Sequence, residues 1–225
     1  MKKKNLVVFD IDGTLVDSVS IHQKGFVQAL NQMGVQSIDS NFKTYRHHTD
    51  SYIAKEIYEK DKKEEFSNAM LERLETLLYD FMKEHSFSPI RGAKVLVDQI
   101  DNKTDFAVAY ATGSLLRPAQ LKLESIGLNV GNACLVASNQ IEDREGIVSE
   151  AITRAEILHE TKFNRIISVG DGLWDLKAAK NLDLEFRGVG EKNMEVLIRN
   201  GMKCHSIDFE GLHVEDWLGA KCVLE

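Results

Sequence analysis

The chain has 225 residues, with 28 Lys and Arg against 35 Asp and Glu, a formal net charge of −7 and 43% apolar residues. That is the composition of an ordinary globular protein, long enough for one large domain or for one carrying a second, smaller one. No apolar run approaches the roughly 20 residues that cross a bilayer, and the negative balance argues against the basic footprint of a general nucleic-acid binder.

In chain order, Lys2-Lys3-Lys4 is followed by an unbroken apolar run, Leu6 to Phe9, which stops at Asp10. The run is too short for a signal-peptide core, so a cytoplasmic location is expected, with neither membrane nor nucleic acid as partner. Continuous hydrophobicity predicts a strand covered on both faces. Residues 17–88 read differently. Phe26, Leu30 and Met33 share a helical face that ends at Gly34, and Ile53 and Ile57 follow a cap at Thr49 or Asp50. Phe66, Met70, Leu74, Leu77 and Phe81 then run for about four turns. Strand-like runs return at Phe106–Ala111, Cys134–Ala137, Ile166–Val169 and Leu184–Val189. Helical patterns lie between them: Leu121 and Ile126 before Gly127, then Ile147, Val148, Ala151, Ile152, Ala155 and Leu158. Strand alternating with helix predicts an α/β fold, a doubly wound parallel sheet. Asp12 and Thr112, both at strand ends, are 100 residues apart, whereas a βαβ unit needs only about 30. The surplus predicts an inserted helical domain at 17–88 in a core of 1–16 plus 89–225. Cys134, Cys204 and Cys222 form no disulfide framework or zinc signature and are expected as reduced thiols, the first two in buried strands.

Four places carry chemistry. Asp10-Ile11-Asp12-Gly13-Thr14 follows the first strand, so both carboxylates point into the crevice where open α/β sheets bind ligands. Two acids so close can divide nucleophilic or metal-binding work from proton transfer. Thr112-Gly113-Ser114 closes another strand with a hydroxyl and backbone N–H groups suited to an anion, although alone it is ordinary turn chemistry. Arg144, at the start of a helix, can clamp a phosphate or pair with a neighbouring Glu. In Gly170-Asp171-Gly172-Leu173-Trp174-Asp175, two carboxylates four apart at a strand-to-helix turn suit a hard cation. Trp174 reads as a packing residue.

On Asp10-Ile11-Asp12-Gly13-Thr14, Thr112, and Gly170-Asp171 with Asp175, in that order, the chain resembles the haloacid dehalogenase-like hydrolase superfamily over nearly its whole length. The resemblance implies a Rossmann-like core with an inserted α-helical cap. It implies Asp10 as nucleophile forming an aspartyl-phosphate, and Asp12 as the acid and base. Mg²⁺ would be held by the Asp10 side chain, the Asp12 carbonyl and Asp171, with Asp175 a further or outer ligand. Thr112 and Gly113 would hold phosphate oxygens. The family's usual lysine, often followed by proline, is missing; Arg144 stands in its place, with Lys162 and Lys192 as substitutes. His22 and Arg46 fall where such proteins carry substrate-facing residues. The expected activity is Mg²⁺-dependent hydrolysis of a small phosphorylated metabolite. The alternatives are β-phosphoglucomutase-like phosphoryl transfer and non-catalytic binding of a phospho-ligand.

Overall fold

The computed structural model of the chain describes residues 2–128 and 134–219. Its first half contains β1 (Asn5–Phe9), β2 (Val16–Asp17), α1 (Val19–Gln32), α2 (Asp50–Lys62), α3 (Asn68–Met82), β3 (Ser88–Pro89) and α4 (Ala93–Lys103). The second half contains β4 (Phe106–Ala111), α5 (Leu116–Ser125), β5 (Cys134–Val136), α6 (Arg144–Leu158), β6 (Ile166–Gly170), α7 (Leu173–Asn181), β7 (Glu185–Val189), α8 (Met194–Arg199), β8 (Cys204–Ser206) and α9 (Val214–Gly219).

Six strands form one parallel sheet in the order β5-β4-β1-β6-β7-β8. β1 lies between β4, where Asn5 pairs with Phe106, and β6, where Leu6 pairs with Ile166. The chain lays β4 and β5 on one side of β1 and then crosses over to β6 on the other. That reversal of strand order opens a crevice at the carboxyl ends of the central strands.

The unbroken apolar run of β1 is explained by cover on both faces. Val7 and Phe9 enter the larger core cluster with Phe106, Tyr110, Ile167 and Val169. Leu6 and Val8 point the other way, with Ala107, Ala109 and Ala111, toward Ile147, Val148, Ala151 and Ala155 of α6. The face expected for α6 runs one turn too far: Leu158 is 55% exposed, because it ends the helix beyond the cluster that buries Ala151 and Ala155.

The strands β2 and β3 form a two-residue antiparallel ribbon, Val16 opposite Pro89 and Asp17 opposite Ser88, where the segment carrying α1, α2 and α3 leaves and rejoins the rest. A Cβ at Gly25 of α1 would lie 2.5 Å from Phe81 and 3.0 Å from Leu78, so only glycine lets α1 and α3 approach this closely. The buried stripe of α3 is accordingly Leu74, Leu78 and Met82. Met70, Leu77 and Phe81 flank it, partly buried, and Phe66 precedes the helix. Thr49 takes the N-cap position of α2, but its hydroxyl donates to the Glu142 carbonyl at 2.7 Å instead of capping the helix.

Cys134 is a free, buried thiol on β5. Cys204 departs from expectation: it is half-buried on β8 and disulfide-bonded. Cys222 lies outside the described residues. Among the described residues no helix is long and apolar enough to cross a membrane.

Candidate active site

Three neighbouring strands end on the residues that matter. Asp10 follows β1, its N–H donating to Val169 on β6 at 2.9 Å, Thr112 follows β4, and Asp171 follows β6. Asp10 is buried, and its Oδ2 accepts from the Thr14 hydroxyl at 3.2 Å. Its Oδ1 accepts from Arg144 Nη2 at 2.8 Å, and the same nitrogen donates to Asp175 Oδ1. Arg144 is the first residue of α6, a start pinned by Asp143, whose carboxylate accepts from the Gly146 N–H at 2.7 Å. Arg144 Nη1 lies 3.3 Å from where a Cβ on Gly113 would sit, so the guanidinium bridges the carboxylates and the loop after β4. Its buried Nε has no partner among the described residues. Gly13 has φ +83°, and a Cβ there would meet Asp171 Oδ2 at 2.6 Å. Glycine is what admits that carboxylate to the cluster.

Asp10, Asp171 and Asp175 each offer an oxygen atom, all within 4.8 Å of one another. Ionised together, these three carboxylates would exceed the charge of the Arg144 guanidinium by two in a largely buried place. Burial, with the charges of Asp175 and Asp12 added, pushes Asp10 up to about 7 despite Arg144. Burial and the charges of Asp10 and Asp175 likewise lift Asp171 well above the ordinary carboxylate range. An all-oxygen donor set with that surplus fits a hard divalent cation.

Asp12 turns away from this cluster. Its carboxylate accepts from Lys122 Nζ at 2.7 Å and from the Ser18 hydroxyl. Burial works against its ionisation, yet the Lys122 ammonium and the hydrogen bonds from Lys122 and Ser18 outweigh it and hold Asp12 at about 2. The two carboxyl groups of the Asp10–Asp12 string thus face different cations and sit in opposite electrostatic environments. Lys122 was not among the sequence-derived candidates. Its signal was a charge at a helical position between apolar neighbours, Ala119 and Leu123, on the buried face of α5. His22, on α1, stands beside Lys122 and Asp50, 3.0 and 2.9 Å away. Lys162 and Lys192 are exposed, the former pairing with Glu156.

The helical segment closes over the loop after β4. Thr112 Oγ1 accepts from the Ser114 N–H at 3.1 Å, and the Gly113 carbonyl accepts from the Asp50 N–H at 2.8 Å. A Cβ on Gly113 would lie 2.4 Å from the His48 carbonyl oxygen. The His48 ring stacks on Trp174 with centroids 4.4 Å apart, so Trp174 packs against this segment. Arg46 lies on the same loop but is exposed and makes no ion pair among the described residues. The site offers a buried carboxylate beside a guanidinium, a second carboxylate against an ammonium, and a cluster of carboxylate oxygens that could hold a cation. These are parts for displacement at a phosphorus or carbon centre.

Solved structures share the fold. A hydrolase from Pseudomonas syringae superposes with a TM-score of 0.70 at 18% identity, covering 95% of this chain and 96% of that one. CbbY from Rhodobacter sphaeroides in complex with phosphate gives 0.68 at 16% identity, covering 93% and 96%. A predicted phosphoglycolate phosphatase from Haemophilus somnus 129pt gives 0.64 at 16%, covering 97% and 98%. At such identities the likeness is one of fold. No curated protein matches the chain at a significant level. The family described as haloacid dehalogenase-like hydrolase matches residues 7–189, from within β1 to the end of β7 and across every residue of the cluster, and the chain belongs to it.

Proposed function

We propose that the protein is a Mg²⁺-dependent phosphatase that hydrolyses a small phosphorylated metabolite through an aspartyl-phosphate on Asp10. The observation that carries this reading is the pair of carboxylates two residues apart with opposite surroundings. Asp10 lies in the acidic cluster beside Arg144, and Asp12 lies against Lys122.

Asp10, Asp171 and Asp175, with the Asp12 carbonyl, would hold Mg²⁺, which when bound neutralises the surplus charge and favours the ionised form of Asp10. In the first half-reaction an Asp10 oxygen attacks phosphorus and the bond to the ester oxygen breaks. The departing alkoxide takes a proton from the Asp12 carboxyl. In the second, water attacks the same phosphorus and gives its proton to the Asp12 carboxylate, releasing orthophosphate and regenerating Asp10. Asp12 must be protonated first and ionised afterwards. Lys122 favours the ionised form, whereas the charge of an incoming phosphate favours the protonated one. Thr112, the Gly113 N–H and Arg144 hold phosphate oxygens, and residues 17–88 act as a cap that excludes bulk water. The CbbY structure holding phosphate supports the ligand class. His22 is included through its contacts with Lys122 and Asp50, and Arg46 as an exposed cation on the loop before α2 that could face a substrate's anionic group.

The test is phosphate release from a panel of small phosphomonoesters, with Mg²⁺ and with a chelator. Mg²⁺-dependent release that is concentrated on a few related esters and abolished in a folded Asp10→Asn variant is the expected outcome. Retained turnover in that variant refutes the nucleophile. Isomerised sugar phosphate without net release replaces hydrolysis by phosphoryl transfer, and binding without turnover leaves a phospho-ligand binding protein.

A further inference from the structure

Lys122 is fully buried on α5, whose other buried residues are Pro118, Ala119 and Leu123. An apolar side chain at that position avoids the penalty of taking an ammonium out of water. The charge is therefore accounted for by what it touches. Lys122 Nζ lies 2.7 Å from the Asp12 carboxylate, 3.0 Å from His22 Nδ1 and 3.2 Å from Ser114 Oγ. An ammonium has three protons and no lone pair, so all three donors are used and His22 Nδ1 is the acceptor. The ring proton then sits on Nε2, facing Asp50 Oδ1 at 2.9 Å. Asp50 Oδ2 accepts in turn from the Leu115 N–H at 3.1 Å. The chain of contacts closes on itself, from Ser114 through Lys122, His22 and Asp50 to Leu115, with Asp12 attached at the lysine.

We propose that Lys122 is a positioning residue, resting on the phosphatase reading above. It fixes the Asp12 carboxylate where it can exchange a proton with the reacting oxygen, and it ties that placement to the docked state of α1 and α2 through His22 and Asp50. Proton transfer needs heavy atoms within roughly 2.6–3.2 Å. Without Lys122, the Ser18 hydroxyl is the one remaining side-chain hydrogen bond to Asp12 among the described residues.

The discriminating readout is dependence on the leaving group. p-Nitrophenolate departs without a proton, whereas an alkoxide needs one from Asp12. kcat/KM reports only steps up to formation of the aspartyl-phosphate, so the later role of Asp12 with water does not enter. The pair of substrates is p-nitrophenyl phosphate and the alkyl phosphate that the wild type turns over best in the panel above. Lys122→Met is expected to lower kcat/KM about 100-fold for the alkyl ester and about threefold for p-nitrophenyl phosphate, with KM little changed. Lys122→Arg is expected to restore at least about tenfold of the alkyl loss. Equal losses for both esters in a folded Lys122→Met protein, or no loss for either, overturns the proposal. Should that variant fail to fold, His22→Ala carries the same test, because it keeps the ammonium and cuts its tie to Asp50. A selective loss of about tenfold for the alkyl ester is then expected, and an unselective one overturns the proposal. A wild type that releases phosphate from neither ester overturns the phosphatase reading itself, and this proposal with it; a wild type active on both leaves the Lys122 comparison to decide alone.

Discussion

At the scale of single residues, the crowded carboxylates make the protein's stability a function of pH and cation together. Asp10 is raised from the ordinary value of 3.8 to about 7, chiefly by burial. Between those two values the folded protein holds a proton that the unfolded chain has lost. The stability this group contributes is therefore full below about pH 4 and lost as pH rises through about 7. Asp171 is shifted the same way. The cation-free protein is expected to melt at a lower temperature at about pH 8 than at about pH 6. If the cluster holds Mg²⁺ as proposed, the cation is expected to raise Tm more at the higher pH, because carboxylates bind a cation in their deprotonated form. Thermal melts at the two pH values, with and without Mg²⁺, check this, and a larger Mg²⁺ effect at the lower pH contradicts it. Asp10, Asp12, Thr112 and Asp171 were legible in the sequence because each ends or follows an apolar run. Lys122 was not, because its partners His22 and Asp12 are about a hundred residues away and only the folded chain brings them to its ammonium.

At the scale of elements, the strands were legible where both faces are covered, as in β1, β4 and β6, since burial on two sides leaves an unbroken apolar run. The helices were legible in existence and less so in facing. The buried stripe of α3 is set by how closely Gly25 lets α1 approach, which periodicity alone does not contain. Contact between the helical segment and the loop after β4 belongs to this scale too. The His48 carbonyl and the Gly113 backbone leave no room for a methyl group, and both sides are main chain. Gly113→Ala is expected to push the start of α2 back from the site. A displacement of about 1 Å in such a place costs on the order of 100-fold in kcat/KM. Steady-state kinetics on the preferred ester, alongside a melting curve, tests this; wild-type kinetics in the alanine variant shows that the contact yields without consequence.

At the scale of the whole molecule, the position of β1 has a bearing on how the protein is made. The strand that leads into Asp10 precedes every other strand of the sheet in the chain, yet both of its neighbours come much later. Asn5 pairs with Phe106 and Leu6 with Ile166. While the intervening helices emerge, β1 is an apolar segment with no sheet to join, and closing so long a loop is entropically costly and slow. A fragment ending before β4, about residues 1–104, is expected to show helical far-UV circular dichroism without a cooperative melt; a sharp thermal transition in that fragment contradicts this. The cluster around Asp10 therefore exists only after β6, the last of the three central strands, has been translated. A nascent chain carries Asp10 long before it has Arg144 to pair with it or Asp171 beside it, so the pairing that holds this carboxylate comes into being only as the sheet is completed.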